Sequence, residues 1–304
     1  MSDIAFHCPD HPNNQNFVDF ARREVGSRVR IENRSRDFGR PSIVWRLTAS
    51  DGSKTWLKHH QDPKLFHREL IGLEHYVPAL GVQTWWSSPA LVSKDAQMNV
   101  MLMTEVKGKV LDTISAMADE EWTMFRLAGK FVRKLHDLDI CAPDDADAPP
   151  DLRHRLEKYL AAGESFIDDD TKKWTQALIN QACSVGQFTP VACHRDFSPR
   201  NWLMAQSQAG ITFGVIDWER SGQDLWLYDA QRMVYDHWHE KPQLREAYFE
   251  GYGRQPTAAE QLQLDAICLV GAIASIPWAQ KHHDQNFATV SRAMITRIQA
   301  QYIE

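Results

Sequence analysis

Residues 194–201 read His-Arg-Asp-Phe-Ser-Pro-Arg-Asn, an H-x-D-x-x-x-x-N pattern, and sixteen residues beyond Asn201 an apolar run, Gly-Val-Ile, ends in Asp217. These residue types suit phosphoryl transfer. That reaction asks the protein to hold an acceptor hydroxyl in line with a phosphate and to supply ligands for metal ions that bridge the phosphates. Asp196 on a short loop can accept the hydroxyl proton. Asn201, from the same loop, can offer a neutral oxygen, and Asp217 at a strand end a charged one. Both are hard donors of the kind magnesium takes.

Taken alone, the H-x-D-x-x-x-x-N pattern also describes a loop carrying a capping Asp. The elements around it add the weight. A helix fits 16–25, with Phe17, Val18, Phe20 and Ala21 at helical spacing. Strands fit 42–48 and 54–59, separated by the turn residues Ala49-Ser50-Asp51-Gly52-Ser53. A helix follows over 66–80, ending at Gly81, with Pro78 making its last turn irregular. Further strands fit 88–92 and 99–106. Beyond Lys107 the pattern is helical: 119–138, 151–166, 171–185, then two short strands framing 191–218, then helices within 224–239, 241–252, 257–279 and 284–303. The order predicts an α+β fold with two lobes, a strand-rich one over 1–106 and a helical one over 107–304 that carries the catalytic loop.

The first lobe offers an independent check. Lys58 lies on the second hairpin strand in Thr-Trp-Leu-Lys-His, and Glu69 opens the next helix eleven residues later. A lysine held by a helix glutamate is a way to set a cation on the α and β phosphates of a nucleotide. Glu74, one turn further on, is the alternative partner. A solvent-facing Lys58 with Glu69 near a helix N-terminus would read the same way in sequence.

With these motifs in place, the chain resembles the aminoglycoside phosphotransferase and choline kinase-like superfamily, small-molecule kinases with a bilobal protein-kinase-like fold. The resemblance covers nearly the whole chain in element order, and its specific motifs occupy about a quarter of it. It implies ATP as the phosphoryl donor, Asp196 as the base, and magnesium held by Asn201 and Asp217. The Trp218-Glu219 after Asp217 is closer to this superfamily than to protein kinases, and no activation segment ending in Ala-Pro-Glu follows. Gly222 and Asp229 are similar to the family's downstream Gly and Asp, the latter anchoring the catalytic loop. The segment Phe38-Gly39-Arg40-Pro41-Ser42 is similar to its glycine-poor phosphate-covering loop, which makes Ser42 a nucleotide contact. The same resemblance sets adenine against Thr104 to Val106. Two positions depart from the pattern: Arg195 stands where the superfamily commonly has Gly, and Ser198 where Ser/Thr protein kinases have a phosphate-contacting Lys. Arg200 can supply that positive charge, or can be an ordinary surface arginine.

The bulk numbers fit a folded enzyme and exclude other classes. The chain has 304 residues, 43% of them hydrophobic and 24% charged. Its formal charge of −6, carried by residues 107–304, disfavours a nucleic-acid binder. Five scattered cysteines without CxxC pairing read as reduced thiols, and the N-terminal stretch has no signal-peptide pattern, so a cytoplasmic location is expected. The longest apolar run, 266–279, is too short to span a bilayer and reads as a buried helix. The acceptor is expected to meet the second lobe. Asp236, Glu240 and Trp238 are candidate contacts, the acids for amino groups of a cationic acceptor. An aromatic box drawn from Trp202, Trp218, Trp226, Trp238, Tyr228 and Tyr235 competes with plain core packing, which is the preferred reading. The acceptor stays open among an aminoglycoside-like antibiotic, another hydroxylated natural product, a choline-like alcohol and a sugar. The alternative to an active enzyme is a nucleotide-binding scaffold, which the presence of Lys58, Glu69, Asp196, Asn201 and Asp217 together argues against.

Overall fold

The structure is a computed structural model, and it describes residues 14–35, 42–140, 152–162, 166–185, 189–208 and 210–302. The α+β class is as expected, and the chain forms two compact units. The first gathers Met1–Lys109 with Leu203–Ser221, and the second Val110–Trp202 with Gly222–Glu304. The expected cut between 106 and 107 therefore misses a return: residues 203–221 rejoin the first unit. The cause is a strand pairing that local sequence does not carry. The strand Gly210–Val215 (β10) pairs in parallel with Trp86–Ser87 (β4), Phe213 opposite Trp86. Parallel partners need a long crossover, so they are far apart in the chain.

In the first unit, a five-stranded antiparallel sheet runs in the order β1 (Arg30–Asn33), β2 (Ser42–Thr48), β3 (Lys54–His60), β6 (Val100–Thr104), β5 (Leu91–Asp95). Strand side chains alternate between faces. Ile43, Trp45 and Leu47 of β2, Leu57 of β3, and Val100 and Leu102 of β6 form one buried cluster with Phe17, Phe20 and Ala21 of helix α1 (Asn14–Val25). His59 faces the same way, its ring 4.7 Å from that of Phe17. Lys58 and His60 consequently face away from α1. Helix α2 (Pro63–Ile71) begins earlier than expected because Asp62 caps it through the Lys64 amide and Pro63 needs no hydrogen bond there. It widens into a π turn over Gly72–Tyr76 and closes as α3 (Val77–Leu80) before Gly81. Pro78 lacks an amide proton and crowds the carbonyl four residues back, and the wider turn accommodates it. A second sheet, β4-β10-β9-β7, contains Trp202–Ser207 (β9) and Lys109–Val110 (β7), the latter where the chain leaves the first unit.

The second unit is helical: α4 (Ala118–His136), α5 (Leu152–Ala162), α6 (Asp169–Ser184), α7 (Gln231–Asp236), α8 (Pro242–Tyr252), α9 (Ala258–Lys281) and α10 (Gln285–Ala300). A short ribbon pairs β8 (Val191–Cys193) with β11 (Gly222–Asp224). The helix expected over 224–239 is instead β11, a 3-10 turn at Trp226–Ala230 and the short α7. Helix α9 is long and apolar enough to cross a membrane by composition, but it is the core of this unit, with Leu264, Ile267, Leu269 and Ile273 among its buried residues.

Helices α4 and α8 pack at backbone distance. A methyl group on Gly129 would overlap the Tyr248 carbonyl oxygen, and one on Gly251 would overlap the Arg126 carbonyl oxygen. At an exposed helix position Gly→Ala stabilises by about 1 kcal/mol. Here overpacking against rigid backbone opposes that gain with a cost of about 1–3 kcal/mol or more. Gly129→Ala and Gly251→Ala are each expected to lower the unfolding temperature in thermal melts. An unchanged or raised value would show that the two helices can part freely.

Candidate active site

The first unit assembles a cluster around one buried lysine. Lys58, 5% exposed, stands on β3 opposite Val44 of β2 and Met101 of β6. Its Nζ lies 2.7 Å from Glu69 Oε2 on α2, 2.5 Å from Asp217 Oδ1 and 3.0 Å from Glu219 Oε2. Burial works against the lysine charge, but the fields of Asp217, Glu69 and Glu219 overcome it and hold its pKa well above the usual lysine value. Burial would raise the Glu69 carboxyl, and Lys58 and His60 outweigh it and bring it below its ordinary value. The rival partner Glu74 pairs instead with Lys94, at 2.7 Å.

Two members of this cluster, His60 and Glu219, had no assigned role in the sequence. His60 follows Lys58 by two residues and so shares its face; its Nε2 lies 2.8 Å from Glu69 Oε2. Ser42, paired across the strands with His60, sits 3.1 Å from its Nδ1 and donates to Glu219 Oε2 at 2.7 Å. Ser42 therefore belongs to the cluster, while residues 38–41 of the expected phosphate loop lie outside the described residues. The period-2 rule could have flagged His60. Nothing local marks Glu219, which meets the cluster only because β10 returns to this unit.

Asp217 is held firmly. It adopts a left-handed backbone, φ 71°, which Asp tolerates better than most residues. On one side Ser88 Oγ donates to the Val215 carbonyl and accepts from Trp218 Nε1. On the other, Ser221 Oγ donates to the Arg68 carbonyl. At the end of β6, Thr104 exchanges hydrogen bonds with Ala90: its amide donates to the Ala90 carbonyl and its hydroxyl accepts from the Ala90 amide. Thr104 thus serves strand closure, and Val106 lies buried beside Gly214.

In the second unit, the catalytic-loop candidates converge on Asp196. Asp196 is 4% exposed and Asn201 5%. Asn201 Nδ2 donates to the Asp196 carbonyl at 2.9 Å and to its Oδ2 at 3.2 Å, so the amide nitrogen is the atom the loop uses. Arg200 Nη2 reaches both carboxylate oxygens at 2.5 Å. Arg232 of α7 adds a second guanidinium, its Nε 3.6 Å from Asp196 Oδ1. Arg200 is therefore bound to the Asp196 carboxylate and is not an ordinary surface arginine. Arg232 had no sequence signal, being a helix arginine brought in by the fold.

Asp229 anchors the loop. Fully buried, it accepts from the His194 amide at 2.9 Å, the Arg195 amide at 2.6 Å and His136 Nε2 at 3.2 Å. Arg195 has φ 62°, the left-handed region where glycine costs nothing, which accounts for the glycine expected there. Its side chain offsets the strain by pairing with Asp224 and by donating to the Gln223 carbonyl. A Cβ on Gly222 would strike that guanidinium.

The acceptor candidates fare differently. Trp238 packs on Tyr248 and Phe249, with ring centres 5.4 Å away in each case, and is core. Trp202 packs on Phe125 and Phe197, and Trp226 stacks on Tyr252, while Trp218 is fully buried. These four tryptophans are therefore packing, as preferred, and Trp238 is withdrawn as a substrate contact. Glu240 is exposed in the turn before α8. Asp236 ends α7, and its side chain lies outside the described residues, as does that of Tyr235.

Comparison with known proteins agrees with the fold. No curated protein matches the chain by sequence. Solved structures share its fold. The GDP and kanamycin complex of APH(2")-IIia superposes with a TM-score of 0.71 at 13% identity, covering 94% of this chain and 99% of that one. A choline/ethanolamine kinase family protein from Mesorhizobium loti gives 0.67 at 18% identity, with 94% and 95% covered. The macrolide 2'-phosphotransferase MphH from Brachybacterium faecium gives 0.61 at 18%, with 93% and 97% covered. The model of the phosphotransferase enzyme family matches residues 43–263, a span that includes Lys58, Glu69, Asp196, Asn201 and Asp217. The chain belongs to the phosphotransferase enzyme family and is an enzyme of the small-molecule O-phosphotransferase class.

Proposed function

We propose that the enzyme transfers the γ-phosphoryl group of ATP to a hydroxyl of a small molecule, with Asp196 as the base. The observation that carries this reading is the buried, charged Lys58 set among Glu69, Asp217 and Glu219. Among the described residues, one lysine among three carboxylates leaves a negative excess that suits a divalent ion, and the lysine itself suits a phosphate. In the reaction, the acceptor oxygen bonds to the γ-phosphorus as the bond from that phosphorus to the β–γ bridging oxygen breaks. ADP leaves with the electron pair, and the hydroxyl proton passes to Asp196 Oδ. Asn201 and Arg200 keep that carboxylate oriented, and Arg200 offsets charge on the transferred group.

Magnesium fits the donors available. Asp217 offers a carboxylate, and Asn201, whose nitrogen is used within its loop, offers its amide oxygen. Both are hard ligands. When bound, the ion would supply charge neutralisation on the phosphates. Cytoplasmic residence is part of the same reading, supported by five cysteines scattered along the sequence without CxxC pairing. The acceptor class is a hydroxylated small molecule, of which kanamycin in one similar structure is an example for that protein.

Two outcomes test this. Asp196→Asn should lower kcat by about 10²–10⁴-fold, the usual contribution of a general base. ATP affinity by calorimetry should stay within a few-fold, because the base acts on the acceptor. Turnover within a few-fold of wild type would remove Asp196 from the chemistry. Lys58→Met and Glu69→Gln should each lower kcat/KM for ATP, with Glu69→Gln the milder. The double variant should lose less than the sum, with a coupling of about 0.5–3 kcal/mol. Strict additivity would mean that the pair does not act as one unit.

A further inference from the structure

The imidazole of His60 lies against the Lys58 cluster, and strand and helix fix it there. On β3 His60 pairs with Ser42 of β2, and on the other edge its amide donates to the Asn99 carbonyl just before β6. Phe66 of α2 meets the ring edge to face, with centres 6.1 Å apart at 65°. The side chain is fully buried. Burying an imidazole is unfavourable unless its nitrogens have polar partners, and both of these face oxygens of the cluster.

Nε2 lies 2.8 Å from Glu69 Oε2, and Nδ1 lies 3.1 Å from Ser42 Oγ and 3.7 Å from Glu219 Oε2. A carboxylate oxygen only accepts, so Nε2 is the nitrogen that carries a proton toward Glu69. Ser42 Oγ in turn donates to Glu219 Oε2 at 2.7 Å. Lys58 Nζ meets the same two carboxylate oxygens, Glu69 Oε2 at 2.7 Å and Glu219 Oε2 at 3.0 Å. Lys58, Glu69, His60, Ser42 and Glu219 thus close a ring of side chains, with Lys58 on one side of the carboxylates and His60 on the other.

This ring bears on how the lysine serves a ligand. An ammonium has three protons, and three carboxylate oxygens lie within 3.0 Å of Nζ. A phosphate oxygen can take Nζ only as one or more of these contacts loosen. Asp217 is the outward carboxylate, its side chain 31% exposed against 13% for Glu219 and 2% for Glu69, and it is the one assigned to magnesium. Glu69 and Glu219 lie behind it, and they are the two that the His60 side of the ring contacts. Glu69 has the greater need. Lys58 and His60 are both close to its buried Oε2, but neither contact has the alignment of a full hydrogen bond. When Lys58 turns toward a phosphate, His60 is the group that stays with that oxygen.

We propose that His60 is a positioning residue for the nucleotide: it keeps Glu69 and, through Ser42, Glu219 in place as Lys58 turns from the carboxylates to the phosphates. This rests on Lys58 as the cation that meets those phosphates.

The test is calorimetry on the full chain with two probes: the imido analogue of ATP with magnesium, and adenosine, which has no phosphates. His60→Leu is expected to weaken the analogue about tenfold or more, the effect of removing a hydrogen-bonding partner from a charged group, while adenosine stays within about twofold. His60→Gln, whose amide nitrogen stands in for Nε2, should bring the analogue back to within about threefold of wild type. His60→Asn, whose amide nitrogen stands in for Nδ1 and stops short of Glu69, should stay weak. In a Lys58→Met background His60→Leu should lose less than about threefold, because the lysine it serves is gone. The Asn and Gln variants make the same comparison between two polar side chains should the Leu variant not fold. His60→Asn as tight as His60→Gln, equal losses for analogue and adenosine, or additive losses with Lys58→Met each overturn the inference and leave Lys58 as the phosphate cation. Unchanged analogue affinity in Lys58→Met overturns both.

Discussion

A lysine out of contact with water cannot stay charged unless carboxylates come with it, and the first unit is arranged around meeting that requirement for Lys58. Glu69 arrives because Asp62 and Pro63 start α2 directly after β3. Asp217 and Glu219 arrive because β10 pairs with β4 and returns residues 203–221 to this unit. Strand register is bound to the same requirement. A slip of one residue would turn Lys58 toward α1 and its apolar cluster and bring His59 to the carboxylates. Without the lysine, three carboxylates would face one another. Fold and site are therefore one electrostatic arrangement in this unit.

The second unit solves a different problem, holding a short loop rigid with few residues. Asp229 spends its carboxylate on two consecutive backbone amides and on His136, and the backbone accepts a left-handed residue at Arg195 in return. Asp217 in the first unit is also left-handed. Both are non-glycine residues in a region that costs about 1–2 kcal/mol. Each is surrounded by directional hydrogen bonds or ion pairs that offset that strain. Such positions are where local propensity is overridden by chemistry.

Much of this was legible in the sequence, for reasons that differ from residue to residue. Asp196, Asn201 and Asp217 sit in one continuous stretch with recognisable spacing. The Lys58–Glu69 pair could be read because a hairpin strand followed by a helix fixes both elements locally. Helix 118–136 announces itself by its apolar period, 242–252 by Pro242 at its start and Gly253 at its end, and 258–281 by the Thr257–Glu260 cap and a long apolar run. What escaped depends on distant contacts. The β4–β10 pairing moved a stretch of chain between units. The fold carried Glu219 to Lys58 and Arg232 to Asp196, and the ring of Trp238 is taken up by packing on Tyr248 and Phe249.

The central claim is that phosphorus moves from a nucleotide to a hydroxyl. Phosphorus-31 NMR of the enzyme with ATP, magnesium and the best acceptor follows that directly. The account predicts a new phosphate monoester resonance that grows in equal amount with ADP, with no signal appearing for either in the absence of acceptor. Release of inorganic phosphate or AMP in place of the monoester would contradict it.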